Sequence, residues 1–371
     1  MMHIKRLASC SRPASYSPIG IDLTSDSLKL MQLRRHKGDL SIAAAAHLEL
    51  NVQGLNEKVL IDRLTELLAR VKVKGRRAVI ALPAHFITTI PIRFTLKEGE
   101  VMDQAVLREA GNYLPFSLDE GVIDYLDLPS SGQQPAQGSA LLIAVRREDV
   151  LRYIEVFKRV GLVVTVIEPQ YCSLFRAIRW IQEWAHEERV KEQFVFYIGE
   201  NNTIVMILVD GNILIVREVP WGVRTIRMKV EKALELPWKK VERILHQYEA
   251  EFGQMDNQGN GTGTGKIGHL EVRELCQVIH EVINPTLEEL CQEIQRVISY
   301  SASVVQQRVI DQALLLGEGA KVKLLVNFIH QRTGVRMKIW DESARIKELT
   351  ERQPLFEVAL GLALRDGRWQ A

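Results

Sequence analysis

The chain has 371 residues, 46% apolar and 25% charged, a globular composition long enough for two domains with cores of their own, which excludes disordered and fibrous classes. With 48 basic against 46 acidic residues the formal charge is +2, so no overall field points to nucleic acid or an acidic substrate, and any partner must be recognised by a local site. Cysteines at 10, 172, 276 and 291 lack CxxC or metal spacing and read as reduced cytoplasmic thiols, and no apolar run reaches signal-peptide or membrane-spanning length, so export and membrane insertion are not expected.

Residues 1–17 hold Ser, Pro and Arg without periodicity and read as a flexible tail. From Gly20 to Leu33 runs GIDLTSDSLKLMQL, in which an apolar pair meets Asp22, a Thr-Ser-Asp-Ser turn follows, and Leu28, Leu30 and Leu33 mark a second strand. A hairpin over 19–32, a turn at 37–39 and a strand over 41–50 lead to Leu60, Leu64, Leu67 and Val71, whose spacing predicts an amphipathic helix over 55–72, then a strand over 77–82. Strand 86–94, helix 96–114, strand 122–128, a Gly/Ser/Gln/Pro loop, strand 140–145, helix 148–160 and strand 162–167 predict a small α/β subdomain inserted before a helix over 170–187.

The second half opens with a strand over 194–199 and a strand pair, 203–209 and 212–219, around Asp210-Gly211, a strong hairpin signal. Helices are predicted over 222–235, 238–251 and 268–305, the last bent near Pro285, followed by strand 313–316, helix 321–333, strand 336–339 and helix 355–364. The run GNGTGTGKIG has Asn260 and Ile267 where a P-loop needs glycine and a hydroxyl, so it reads as an inter-helix loop.

Laying residues 21–27 over 196–202 aligns two strand-turn-strand units, so the halves read as duplicated α/β lobes around a cleft where two turns face each other and their N–H groups can surround a phosphate. Asp22 caps its own turn or organises metal-bound water; Ser25 and Ser27 serve the local backbone or a phosphate. Gly222 starts a helix or admits a nucleotide, and Gly317 and Gly319 permit tight strand-to-helix packing with or without a ligand. Tyr113, Pro115 and Phe116 either pack the subdomain core or wall a groove for an extended peptide, with Arg146 and Arg147 solvated or holding an acidic group of that peptide.

Together these segments resemble the actin-like ATPase superfamily and, within it, the PilM family of type IV pilus assembly proteins, kin of the cell-division protein FtsA, with the MshI-type pilus proteins a second resemblance. The marks in order are GIDLTSDSLKLMQL; LREAGNYLPFSLDEGVIDYLDL followed by ALLIAVRREDVLRYIEVFKRVGL; VDGNILIVREVPWG; LEELCQEIQRVISYS; LLLGEGA; and FEVALGLAL. The resemblance runs from Pro18 to Leu364 and implies an α/β, actin-like two-lobed fold of duplicated ribonuclease-H-like domains. It places the first lobe at 18–83 and 169–193, the insert at 84–168 and the second lobe at 194–371, the latter with a helical subdomain at 223–305 and a flexible loop at 253–268.

It also implies ATP with Mg in the central cleft and a groove beside the insert for the N-terminal cytoplasmic tail of a PilN-like inner-membrane protein, with pilus motor ATPases as further partners and the oligomeric state open. The location implied is cytoplasmic, peripheral at the inner membrane through that partner. The candidate nucleotide site comprises Asp22 (through Mg-bound water), Ser25, Ser27, Gly199, Asn201, Gly222, Glu242, Gly317 and Gly319; the candidate partner site comprises Tyr113, Pro115, Phe116 and Arg146.

The family's Asp-x-Gly is broken at both turns, for Thr24 stands where glycine belongs in the first and Tyr197 where aspartate belongs in the second. A left-handed Thr24 would cost about 1–2 kcal/mol, and a phenol neutral at pH 7 replaces a carboxylate poorly on magnesium. Glu318 replaces a small residue and adds negative charge near a polyanion, and Leu245 stands where lysine belongs after Glu242. The expectation is a scaffold with a degenerate nucleotide cleft and no catalytic residue; the alternative is an ATP-binding conformational switch.

Overall fold

The computed structural model describes residues 15–36, 39–50, 56–128, 137–184, 192–236, 240, 266–267, 270–304, 310–340 and 356–366. Strands β2 (Ile19–Leu23) and β3 (Ser27–His36), buried over most of their length, pair antiparallel across the Thr24–Asp26 turn, with β1 (Ser15–Tyr16) also on β3. On one side β4 (Asp39–Glu49) adds antiparallel to β3; on the other β5 (Arg77–Ala81) and β9 (Val163–Glu168) add in parallel. Because strands in the middle are covered on both faces, their sequences are nearly continuous apolar runs, as in IGIDL and RAVIA.

The second sheet repeats that plan. Strands β10 (Glu192–Ile198), β11 (Thr203–Val209) and β12 (Asn212–Val219) form an antiparallel meander, and β15 (Gln312–Leu316) and β16 (Arg336–Ile339) extend it in parallel, giving the order β12-β11-β10-β15-β16 against β4-β3-β2-β5-β9. The overlay that sets Ile21 on Phe196 also sets Gln32 on Ile207, and both ladders slip register just after those two residues. Asp210 and Gly211 both adopt positive φ, 49° and 75°, as a two-residue hairpin turn of this hand requires.

Helix α1 (Glu57–Ala69), capped by the Asn56 carboxamide on Val59 N, lays Leu60, Leu64 and Leu67 on the first sheet. Between β5 and β9 come β6 (Ile87–Thr95), α2 (Met102–Tyr113), β7 (Gly121–Asp127), β8 (Gln137–Arg146) and α3 (Arg147–Arg159), the three strands ordered β6-β8-β7. Only the first part of this segment stands apart as an insert. Helix α3 buries Tyr153, Val156 and Phe157 in the first-lobe core with α1, and β9 is a strand of the first sheet. The segment expected over 84–168 as an insert thus includes two elements, α3 and β9, that pack with the first lobe, because a period-3.6 stripe tells that a helix is buried but not against what.

Helix α4 (Gln170–Trp184) and a last helix α8 (Glu357–Ala363) lie in a core shared by both sheets, among Val79, Val195, Tyr197, Met206 and Leu316. The sequence places α8 with the second lobe; the structure packs it on β2, β3, β5 and α4 of the first. On the second sheet's other face lie α5 (Val223–Leu234), α6 (Val272–Val304), which continues through Pro285, and α7 (Lys323–Thr333). A small hairpin, β13 (Lys266–Ile267) with β14 (Leu270–Glu271), lies at the end of the glycine-rich run; the rest of that run and, apart from residue 240, the helix expected over 238–251 lie outside the described residues. No helix among the described residues is long and apolar enough to cross a membrane.

Candidate functional site

The two strand-connecting turns meet across the cleft between the lobes. Each is closed by the same backbone bond, Thr24 N to Ser27 O at 3.0 Å in the first and Gly199 N to Asn202 O at 2.9 Å in the second. Thr24 does not take positive φ, so the strain foreseen for it is absent. Its hydroxyl instead donates to Asp26 Oδ1 at 2.8 Å and accepts from Ser27 N at 3.0 Å, which engages the turn with itself. Across the cleft, Asn201 Nδ2 donates to Asp26 Oδ1 at 2.6 Å and Ser25 Oγ at 3.1 Å, while Asn202 Nδ2 donates to Gln170 Oε1 at 3.2 Å. Gln170 Nε2 in turn donates to Asp22 Oδ1 at 2.9 Å.

Directly opposite Asp22 in the β2–β3 ladder stands Lys29. Its Nζ donates to Glu318 Oε1 at 2.7 Å, joining the first lobe to the turn after β15, with side-chain exposures of 6% for the lysine and 28% for the glutamate. Burial opposes the lysine's charge, but Glu318 and Asp22 outweigh it, and the ammonium is held well above its ordinary range. Burial likewise raises Glu318, yet Lys29 reverses the sign and keeps it an ionised carboxylate. Asp22 is pushed up to about 6 by burial, which Lys29 and Gln170 only partly offset. The buried Glu357, raised by burial, accepts from Gly317 N at 3.0 Å. Tyr197 is raised far above the ordinary phenol range by burial and by Glu318, so it stays neutral and gives magnesium no carboxylate.

The glycines proposed to admit a nucleotide have protein neighbours that require them. A Cβ at Gly222 would overlap Glu200 O, one at Gly317 would lie 2.5 Å from Ile198 O, and one at Gly319 would lie 2.6 Å from the Ile198 side chain. Gly317 also sits at φ +82°, a backbone that side chains avoid. Glu242 lies outside the described residues.

A space of about 300 Å³ remains beside the turns, lined by Thr24, Ser25, His85, Gln170, Asn201, Asn202 and Glu218 among others, with no lysine or arginine in its lining. Burial pushes the Glu218 carboxyl up to about 7. Among the described residues no group of three or more His, Cys, Asp or Glu is placed to hold a metal ion. The structure thus gathers Asp22, Ser25, Ser27, Gly199 and Asn201 at the two facing turns, where Asn201 bonds Ser25 directly while Asp22 is held by Gln170, Ser27 by Thr24 and Gly199 by Asn202. As they stand these residues do not fit a magnesium triphosphate.

Lys29, Gln170, Asn202 and Glu357 are absent from the sequence-derived site. Lys29 was within reach, because counting back across a four-residue turn sets it opposite Asp22, and Glu357 is the lone acid in the apolar run FEVALGLAL. Gln170 carries no such mark.

A larger cavity of about 680 Å³ separates the insert from the first lobe. Its walls include β7 and β9, each the last strand of its sheet. Val122, Leu126, Ile143, Val164, Val166 and Phe175 give it an apolar lining, and Asp124, Asp127 and Arg179 supply polar groups. At one end Arg176 grips Glu168 through two bonds of 2.7 and 2.9 Å and donates to Gly361 O at 2.8 Å, tying the groove floor to α8. Burial holds the Cys172 thiol near 12, so it is not a nucleophile.

Tyr113, Pro115, Phe116 and Arg146, the candidate partner residues, do not line this groove. On β7 and β8 the side chains alternate, Ile123, Tyr125, Ala140 and Leu142 facing α2 while Val122, Leu126, Ile143 and Val145 face the groove. The aromatic-proline turn ends α2 and so belongs to the opposite face, where the Arg146 guanidinium sits 4.9 Å over the Phe116 ring and Tyr113 is 49% exposed.

The profile of the family described as type IV pilus assembly protein PilM matches residues 20–252 and 272–367. Among solved structures, a chain of a PilM-PilN type IV pilus biogenesis complex superposes with a TM-score of 0.72 at 23% identity, covering 94% of this chain and 98% of that one. The ethanolamine utilization protein EutJ from Carboxydothermus hydrogenoformans gives 0.54 at 14% identity, covering 95% and 91%. MreB 5 of Spiroplasma citri, solved bound to AMPPNP, gives 0.49 at 12% identity, covering 94% and 96%. The fold is the actin-like one, two lobes of like topology with an insert in the first. With its profile matched over most of its length, the chain belongs to the PilM family of type IV pilus assembly proteins.

Proposed function

We propose that this chain is a scaffold of a type IV pilus assembly machine that holds the N-terminal cytoplasmic tail of a PilN-like inner-membrane protein in the groove between insert and first lobe. The observation that carries this reading is that two sheet edges, β7 and β9, flank one apolar cavity of peptide-binding size. An extended segment adds to such an edge by backbone hydrogen bonds while alternate side chains enter the apolar lining, which gives affinity and specificity from one geometry. Kinship with a chain solved in a PilM-PilN complex supports the choice of partner. The membrane location is then peripheral and supplied by the partner, and the motor ATPases of the machine are the further partners this reading carries.

The test is fluorescence anisotropy with a labelled synthetic tail of the cognate PilN-like protein. We expect a Kd of about 50 µM or tighter, roughly 6 kcal/mol of binding free energy. Introducing a charge with Leu126→Asp or Val164→Asp should weaken it at least about tenfold. No binding at about 500 µM peptide defeats the reading.

A further inference from the structure

We propose that Glu318 is a built-in anionic occupant of the interlobe cleft, whose carboxylate takes Lys29 from the opposite lobe and latches the lobes together without a nucleotide. This inference is independent of the peptide groove. The misfit between these residues and a magnesium triphosphate is its starting point, and three observations carry it.

First, the aim of the Glu318 side chain is set by its backbone. The flanking Gly317 and Gly319 are packed against Ile198 so closely that a Cβ on either would collide, and Gly317 N is held by Glu357 at 3.0 Å. The segment therefore has little freedom to swing away. Second, Lys29 is buried on a central strand with its amine 2.7 Å from the Glu318 carboxylate, and a buried ammonium needs an anionic partner. Here the opposite lobe supplies that anion.

Third, the remaining cross-cleft bonds act in the same direction. Asn201 holds Ser25 and Asp26, and Asn202 reaches Asp22 through Gln170. A phosphate that is to be neutralised by Lys29 has to displace Glu318 from it while approaching the carboxyls of Asp22 and Glu357, which both lie within the lysine's field. Glu318 therefore competes with phosphate twice, by occupying the cation and by adding like charge.

The experiment is titration of the full chain with a fluorescent ATP analogue in excess magnesium, compared with Glu318→Ala, the isosteric Glu318→Gln and the double variant Glu318→Ala with Lys29→Ala, each checked for native circular dichroism. Wild type is expected to show no saturable binding up to about 1 mM, while either single variant binds at least about tenfold more tightly and the double variant loses the gain. If Glu318→Ala does not fold, Glu318→Gln alone decides, since it keeps the shape and removes the charge. Wild type binding as tightly as the single variants overturns the latch. So does a folded Glu318→Gln that acquires no binding.

Discussion

Asp22 and Lys29 share one rung of the β2–β3 ladder, and their pairing shows how a buried site sets protonation. The Asp22 carboxyl titrates near 6 in the folded chain against an ordinary 3.8, chiefly because burial penalises its charge. Between those values the folded chain keeps a proton that the unfolded chain has released. The group's contribution to stability is therefore full below about pH 4 and lost as the pH rises through about 6. Two pKa units correspond to about 3 kcal/mol. Urea unfolding of wild type and Asp22→Asn should show the wild type losing stability by that order relative to the variant between pH 4 and pH 7. A difference that stays constant with pH would show that Asp22 is not the buried acid described here.

At the scale of single elements, α8 shows the tightest constraint. A Cβ at Gly361 would overlap the Ser173 carbonyl of α4, and one at Gly20 of β2 would overlap the Ala359 carbonyl of α8 itself. Backbone atoms on both sides leave nothing flexible to move, so Gly361→Ala should cost about 3 kcal/mol, at the upper end for overpacking a core. Chemical denaturation reads this directly, and a loss below about 0.5 kcal/mol would mean that α8 sits further from α4 than the structure places it. The same reasoning accounts for the insert's two faces. Strand alternation was visible in VIDYLD and ALLIAV, but which of the two faces α2 covers depends on the path of the chain.

For the whole molecule, the last helix completes the first lobe and the shared core. Ending the chain at residue 340 removes α8, which supplies Val358, Leu360 and Leu362 to the core between the sheets and Glu357 to the cleft. Such a truncation should yield no soluble, cooperatively melting protein, although it removes less than a tenth of the sequence and leaves every described strand in place. Recovery of a folded fragment with a sharp thermal transition would contradict that dependence.

What the sequence by itself determined was the kind and order of most of the described elements, the repeat between the halves and the family. Those features rest on local chemistry: period-2 and period-3.6 apolar spacing, the Asp210-Gly211 turn, and the overlay of residues 21–27 on 196–202. Ser25, Gly199 and Asn201 were legible as turn residues because each turn is a local object. What only the tertiary structure decided was who meets whom over long separations. Lys29 with Glu318, Asn201 with Ser25, Gly361 with Ser173 and the facing of β7 toward β9 are all contacts between distant segments. No local pattern encodes them, because a side chain's periodicity says only that it is buried, whereas its partner and its charge state depend on which other segment the packed core brings against it.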